Sequence, residues 1–248
     1  MNGTAASTRV ASTQVASTRV WIITGHYGSG KSEFAINYAL QLRARGEKVA
    51  LCDIDVVNPY FRSRERRGFL EAQGIQVVGN SLAVDEGIDL PAVSAELYGP
   101  LADPAVHTVI DVGGDPVGAR LLRSFRRLIP AAETELLCVV NAMRPATQGA
   151  DDLITQIQGI ETASGLSVSG LINTTHMLED TTAEHLQAGN ELCVEVGKRT
   201  GLPVRFVGAL EHLVSELPEE IQGERVGIAM HLRSSWMFAE KELRYGAK

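Results

Sequence analysis

The run Gly25-His26-Tyr27-Gly28-Ser29-Gly30-Lys31-Ser32 combines residue types suited to holding a polyphosphate. The glycines let the chain turn so that successive backbone N–H groups close around anionic oxygens. Lys31 offers a cation to β- and γ-phosphates, and Ser32 a hydroxyl ligand for Mg²⁺. The apolar stretch Val20 to Thr24 comes before and a helical pattern from Lys31 after, so a helix N-terminus would point its dipole at the same anion. This is the Walker A pattern in its diagnostic strand–loop–helix setting. Gly25, His26, Tyr27, Gly28, Ser29, Gly30, Lys31, Ser32 and Glu33 are the expected phosphate-side residues.

Two further segments supply carboxylates. In VALCDIDVVNPYF, Asp53 and Asp55 close an apolar run two residues apart, a spacing that puts both on one side of an extended chain. In HTVIDVGGDPVG, Asp111 ends another apolar run and is followed by Gly113-Gly114-Asp115. A strand-end carboxylate with a glycine-rich switch behind it suits holding a Mg²⁺-bound water and sensing a γ-phosphate. Ser32, Asp53 and Asp111 are the expected metal-side residues, and Lys31, Asp55 and Asp53 the expected catalytic ones. Two structural readings compete: Asp53 as a helix cap and Asp115 as a turn residue.

These residues need elements to position them. Strand-like runs rich in Val, Ile and Leu fall at 20–24, 48–53, 75–78, 108–112, 135–141, 168–173 and 204–207. Helix-length segments lie between most of them, at 31–45, 62–73, 117–128, 147–163 and 181–200. Such alternation predicts an α/β fold with a mostly parallel sheet covered by helices on both faces, in which ligands gather at the carboxyl ends of strands. Residues 1–17, with a five-residue unit written three times in ASTRVASTQVASTRV, read as a disordered low-complexity tail. Residues 18–248 read as a single P-loop NTPase domain.

The order GHYGSGKS, DIDVVNPYF, VIDVGGD, VVNAMRP and GLINTTH resembles the CobQ/CobB/MinD/ParA nucleotide-binding group of P-loop NTPases, from Val20 to the region of Trp236. The resemblance implies an ATP–Mg²⁺ switch with ATPase activity, in which Asp53 lies on the metal side, Asp55 orients the attacking water and Asn173 reads the adenine edge. An ATP-dependent ligase or kinase on the same scaffold, similar to dethiobiotin synthetase, is an alternative. A metal-centre assembly ATPase and a non-hydrolysing interaction module are others. MinD- and ParA-like chains carry a second lysine after the first glycine of the loop, where this chain has His26. Closure into an ATP-bound homodimer is therefore left open.

Arginines flank both carboxylate loops: Arg62, Arg64, Arg66 and Arg67 after the first, Arg120, Arg123, Arg126 and Arg127 after the second. They read either as solvated faces or as the seat of an anionic small molecule or acidic protein partner that senses nucleotide state. One of Arg62, Arg64, Arg120 and Arg123 is expected to take the missing lysine's place at the phosphates. His176, Glu179, Asp180 and His185 could be imagined as metal ligands, but Thr181 with Glu184 three residues on reads as a capping box. The C-terminal segment HLRSSWMFAEKEL is expected to dock on the core.

Composition narrows the class. A formal net charge of −7 and a pI near 5.4 argue against a dedicated nucleic-acid site, which would need clustered Lys and Arg. The three cysteines, Cys52, Cys138 and Cys193, form no C-x-x-C pair, so they point to packing in a reducing, cytoplasmic setting. No apolar run is long enough for a membrane span.

Overall fold

The computed structural model describes residues 17–55, 66–79, 90–114 and 116–232. The repeat tail up to residue 16, Arg62 and Arg64, Asp115 and the segment from residue 233 onward lie outside them. Eight strands, β1 Val20–Gly25, β2 Lys48–Asp53, β3 Ile75–Val78, β4 Val106–Asp111, β5 Thr134–Val140, β6 Gly170–Asn173, β7 Val204–Leu210 and β8 Glu224–Ile228, form one sheet in the order β3-β2-β4-β1-β5-β6-β7-β8. Every pairing is parallel. The helices are α1 Lys31–Ala44, α2 Arg67–Ala72, α3 Leu90–Ala102, α4 Pro116–Phe125, α5 Ala150–Ser164 and α6 Ala183–Thr200. The predicted α/β fold with helices on both faces is the observed one.

Alternation along the strands sorts side chains to the two faces. Val20, Ile22, Cys52, Ile110, Leu136 and Cys138 face a core completed by Leu97, Leu122, Phe125, Leu153 and Val196 from α3, α4, α5 and α6. Trp21, Ile23, Leu51, Val109, Leu137 and Val139 face the opposite core with Phe34, Ile36 and Leu42 of α1 and Leu70 of α2. Both faces being dry is why the strands read as continuous apolar runs; each large aliphatic side chain removed from water contributes roughly 1.5–3 kcal/mol. All three cysteines are buried. Burial raises all three thiols, that of Cys138 to about 12, which leaves them packing groups without thiolate chemistry.

Two elements have no counterpart in the sequence reading. Strand β8 is a short ERVGI segment whose apolar content is too low to stand out, and it forms because β7 offers it an edge from Phe206 to Leu210. Helix α3 carries Pro100 in its last turn, a residue that argues against a helix unless its position makes the lost N–H harmless. A third difference concerns α6. Its capping box is built by Thr182 and His185, not by Thr181 and Glu184. Thr181 instead accepts the Met177 N–H and donates to the Leu178 carbonyl. The turn at 178–180 uses up one more residue than the sequence pattern shows, and the imidazole of His185 is engaged at the cap.

The entry to β1 is fixed by one buried cation. Arg19 donates to the Glu133 carboxylate and, at 2.8 Å, to the Leu101 carbonyl, while its own carbonyl accepts the Thr108 N–H at 2.7 Å. This ties β1, α3, β4 and the approach to β5 together. Replacing Arg19 by Met keeps the volume and leaves Glu133 and the carbonyl without their donor. We expect a loss of about 2 kcal/mol in chemical denaturation; an unchanged midpoint and slope would show that this cation does not organise the strand edge.

Candidate functional site

The strand order makes the site. β1 lies between β4 and β5, and the chain leaves it first toward β2 and later toward β5. The crevice at the carboxyl end of β1 is therefore a topological switch point. Register sets the side chains there: Asp53 pairs with Asp111, and Asp111 with Ile23. The acids that end β2 and β4 thus stand beside the loop leaving β1.

That loop has the conformation its glycines allow. Gly28 and Gly30 have φ of 74° and 92°, values that would strain any residue with a Cβ. The Gly30 carbonyl accepts the Phe34 N–H at 2.9 Å, which starts α1 with its first amides directed to the cavity. Three side chains hold the loop from outside. Thr174 Oγ1 donates to the Ser29 carbonyl at 2.6 Å, Arg144 Nε to the Gly28 carbonyl at 3.0 Å, and Asn141 Nδ2 to the same carbonyl at 3.5 Å. Holding these carbonyls from outside fixes the loop around the cavity, while the Ser29 N–H closes its own turn on the His26 carbonyl at 3.0 Å.

Lys31 is buried and its Nζ lies 2.9 Å from Asp55 Oδ2. Burial alone would depress the ammonium, but the carboxylates of Asp111, Asp55 and Asp53 outweigh it and raise its pKa. Asp111 is fully buried. Its burial pushes the carboxyl up to about 7, against the pull of Lys31 and of a hydrogen bond from Ser32, and Asp53 adds to the rise. Asp53 Oδ1 accepts the Asp55 N–H at 3.1 Å, which orients the second acid of the pair. The glycine-rich turn after β4 closes against this group. A Cβ on Gly114 would fall 2.0 Å from the Gly25 carbonyl oxygen, and one on Gly113 3.0 Å from Asp55 Oδ1.

Next to Lys31 and Ser32 opens a cavity of about 370 Å³, within the size range of small-ligand sites. Tyr27, Gly28, Gly30, Glu33 and Arg144 line it near the loop, Thr174, Thr175 and His176 beyond, and Gly208, Ala209, Ile228, Met230 and Leu232 along its apolar side. The residues at the ends of β7 and β8 had no distinguishing signal in the sequence. Glu33 bonds the N–H groups of His231 and Leu232 at 3.0 and 2.7 Å, so it straps the chain after β8 to α1. His26 is exposed, and its ring nitrogen sits 3.2 Å from the Tyr27 carbonyl oxygen.

Asn173, the expected base reader, is bonded within the fold. This residue is fully buried at the end of β6; its Nδ2 donates to the Leu186 carbonyl at 2.7 Å and its Oδ1 accepts the Thr175 N–H at 3.0 Å. The amide joins β6 to α6, and Asn173 is not among the residues that line the cavity. Arg120 and Arg123 are exposed on α4 and do not line the cavity. Among the described residues the arginine that does is Arg144, whose NAMRP segment carries no phosphate motif of its own.

No family model and no curated protein matches the chain. Among solved structures it is similar to cell division protein FtsY from Thermotoga maritima, with a TM-score of 0.55, 23% identity and coverage of 78% of this chain and 62% of that one. Chloroplast FtsY from Physcomitrella patens gives a TM-score of 0.54 at 21% identity, covering 78% and 59%. The signal recognition particle receptor FtsY from Elizabethkingia anophelis, in complex with GDP, gives 0.54 at 21% identity, covering 79% and 59%. The chain spans only 59–62% of the length of these proteins, and at such identities the likeness shows the fold. It corrects the expected membership of the MinD/ParA-like group, and with it the ATPase assignment and ATP as the nucleotide: the similar structures are FtsY proteins, one of them holding a guanine nucleotide.

If the outward pins shape the loop, removing one should loosen it. Thr174→Val keeps the shape of the side chain and deletes the donor to Ser29. We expect faster amide hydrogen exchange across residues 28–30 with the β1 and β5 amides unchanged, and a stability loss of about 1 kcal/mol. Exchange in the loop identical to the parent's would mean that the tether does not restrain it.

Proposed function

We propose that the chain is a nucleotide-dependent P-loop switch that binds GDP and GTP with Mg²⁺ and hydrolyses GTP. The observation that carries this reading is the buried junction of Lys31 and Ser32 with Asp55 and Asp111, opening on a nucleotide-sized cavity. The choice of guanine rests on the similarity to the FtsY structures, one of which holds GDP.

Mg²⁺ fits the donors present. Among the described residues no set of three or more His, Cys, Asp or Glu is arranged to cage a metal. A hydroxyl from Ser32 with a carboxylate from Asp111, and Asp53 beside it, is what a hard cation uses when it keeps waters and takes phosphate oxygens for its other positions. When bound there, Mg²⁺ would neutralise charge on the outer phosphates. Lys31 would offset the remaining phosphate charge, and Asp55 would orient the attacking water.

The Lys31–Asp55 pair gives the switch its lever. A phosphate reaching Lys31 competes with Asp55 for the ammonium, and Asp55 lies against Gly113 of the turn after β4. Occupancy of the loop is thereby passed to both carboxylate segments, and a protein partner would read it on the side of α4, where Arg123, Arg126 and Arg127 are exposed. No helix among the described residues is long and apolar enough to cross a membrane. With its three buried thiols, the protein would work in the reducing cytoplasm.

Competition against a fluorescent GDP analogue tests the reading. GDP and GTP should displace it and adenine nucleotides should not; equal displacement by ADP and ATP would refute the base assignment, and no binding at all the whole proposal. Lys31→Ala should weaken GDP by about tenfold to a hundredfold. Asp55→Asn should keep GDP while slowing Mg²⁺-dependent GTP hydrolysis on the order of a hundredfold, and hydrolysis at the parent rate would exclude Asp55 from catalysis.

A further inference from the structure

We infer that Arg144 is a phosphate-binding residue that the chain supplies to its own loop, and that it carries the second positive charge beside Lys31. The inference rests on the nucleotide reading above and adds to it the residue that ties the phosphates to the start of α5.

Arg144 is placed by a tight, fully hydrogen-bonded turn. Its N–H donates to the Asn141 carbonyl at 3.0 Å, and its own carbonyl accepts the Thr147 N–H at 2.9 Å. Thr147 Oγ1 donates to the Asn141 carbonyl at 2.7 Å, and Pro145 fixes the first position of the short helical turn that follows. Asn141 is itself buried and bonds the backbone of Met143 and His176. The base of the side chain is therefore held from three sides, and α5 begins at Ala150, a few residues on.

The guanidinium spans from this turn to the phosphate loop. Only Nε is used by the Gly28 carbonyl, and the group lies so close over Gly28 that a Cβ there would sit 3.1 Å from Nε and 3.2 Å from Cζ. The side chain is half-buried and lines the same cavity as Lys31 and Ser32. A guanidinium presents five donors in a flat fork. With Nε fixed on the loop carbonyl, the remaining donors are held at the rim where phosphate oxygens would arrive, with little orientational freedom left to lose. Among the described residues the other candidates lie elsewhere: Arg120 and Arg123 are on α4 outside the cavity, and Arg66 donates to the His231 carbonyl.

The same contact gives Arg144 two functions that one experiment separates. Gln at 144 retains a side-chain N–H for the Gly28 carbonyl but has no charge; Ala has neither. GDP and GTP affinities are measured for the parent, Arg144→Gln and Arg144→Ala by calorimetry, with the ³¹P spectrum of bound GDP as a second readout. Phosphate contact predicts that both variants lose about tenfold to a hundredfold in GDP affinity and that the β-phosphorus resonance shifts in the Gln variant. Parent-like affinity and spectrum in Arg144→Gln would overturn the inference, whether or not Arg144→Ala is impaired, because the residue would then be a loop tether alone. Failure of the parent itself to bind either nucleotide would instead refute the nucleotide reading.

Discussion

A lysine ammonium buried among strand-end carboxylates is the constraint around which this structure is arranged. Lys31 has almost no access to water, and a buried cation is tolerated only where opposite charge and hydrogen bonds replace its hydration. Asp55 supplies the contact and Asp111 and Asp53 the field. That requires β2 and β4 to end at the same level as β1, which the register of Asp53 with Asp111 and of Asp111 with Ile23 provides. The strand order β2-β4-β1 and the position of the loop after β1 are parts of one electrostatic arrangement.

The acids carry a cost of their own. Asp111 is wholly buried beside Asp53, and its raised pKa records how little water reaches it. Three carboxylates against one lysine leave an excess of negative charge at the crevice, the condition under which a divalent cation is held. The neighbouring glycine-rich loop has the opposite polarity, with Lys31 at its end and the Ser29 and Gly28 carbonyls taken up by Thr174, Arg144 and Asn141. A cation–polyphosphate pair is complementary to these two halves together, the cation to the acids and the anion to the loop.

Behind the crevice the packing is conventional. Two large dry cores, one under α1 and α2 and one under α3 to α6, and a smaller cluster around Leu186, Val207 and Leu213 back the sheet. The switching proposed for the site then rests on the turn after β4, where Gly113 and Gly114 lie close to Asp55 and Gly25. The chain after β8 adds a restraint of a different kind, since Asn37 and Glu33 of α1 grip its backbone from Ala229 to Leu232.

The sequence by itself determined the fold class, seven of the strands and the gathering of a glycine-rich loop with the carboxylates at 53, 55 and 111 near strand ends, because each is written locally: an apolar run, then an abrupt change to glycine or an acid. What tertiary structure decided are the features whose signal lies in a distant segment. Strand β8 exists through the edge that β7 offers, and Arg144 matters through a carbonyl more than a hundred residues away at Gly28. Asn173 shows the same dependence. Its position at a strand end matches the local pattern for base reading, and in the fold its amide bonds the Leu186 carbonyl and the Thr175 N–H. A sequence shows which groups are capable of a contact; the fold decides which of them are still free to make it.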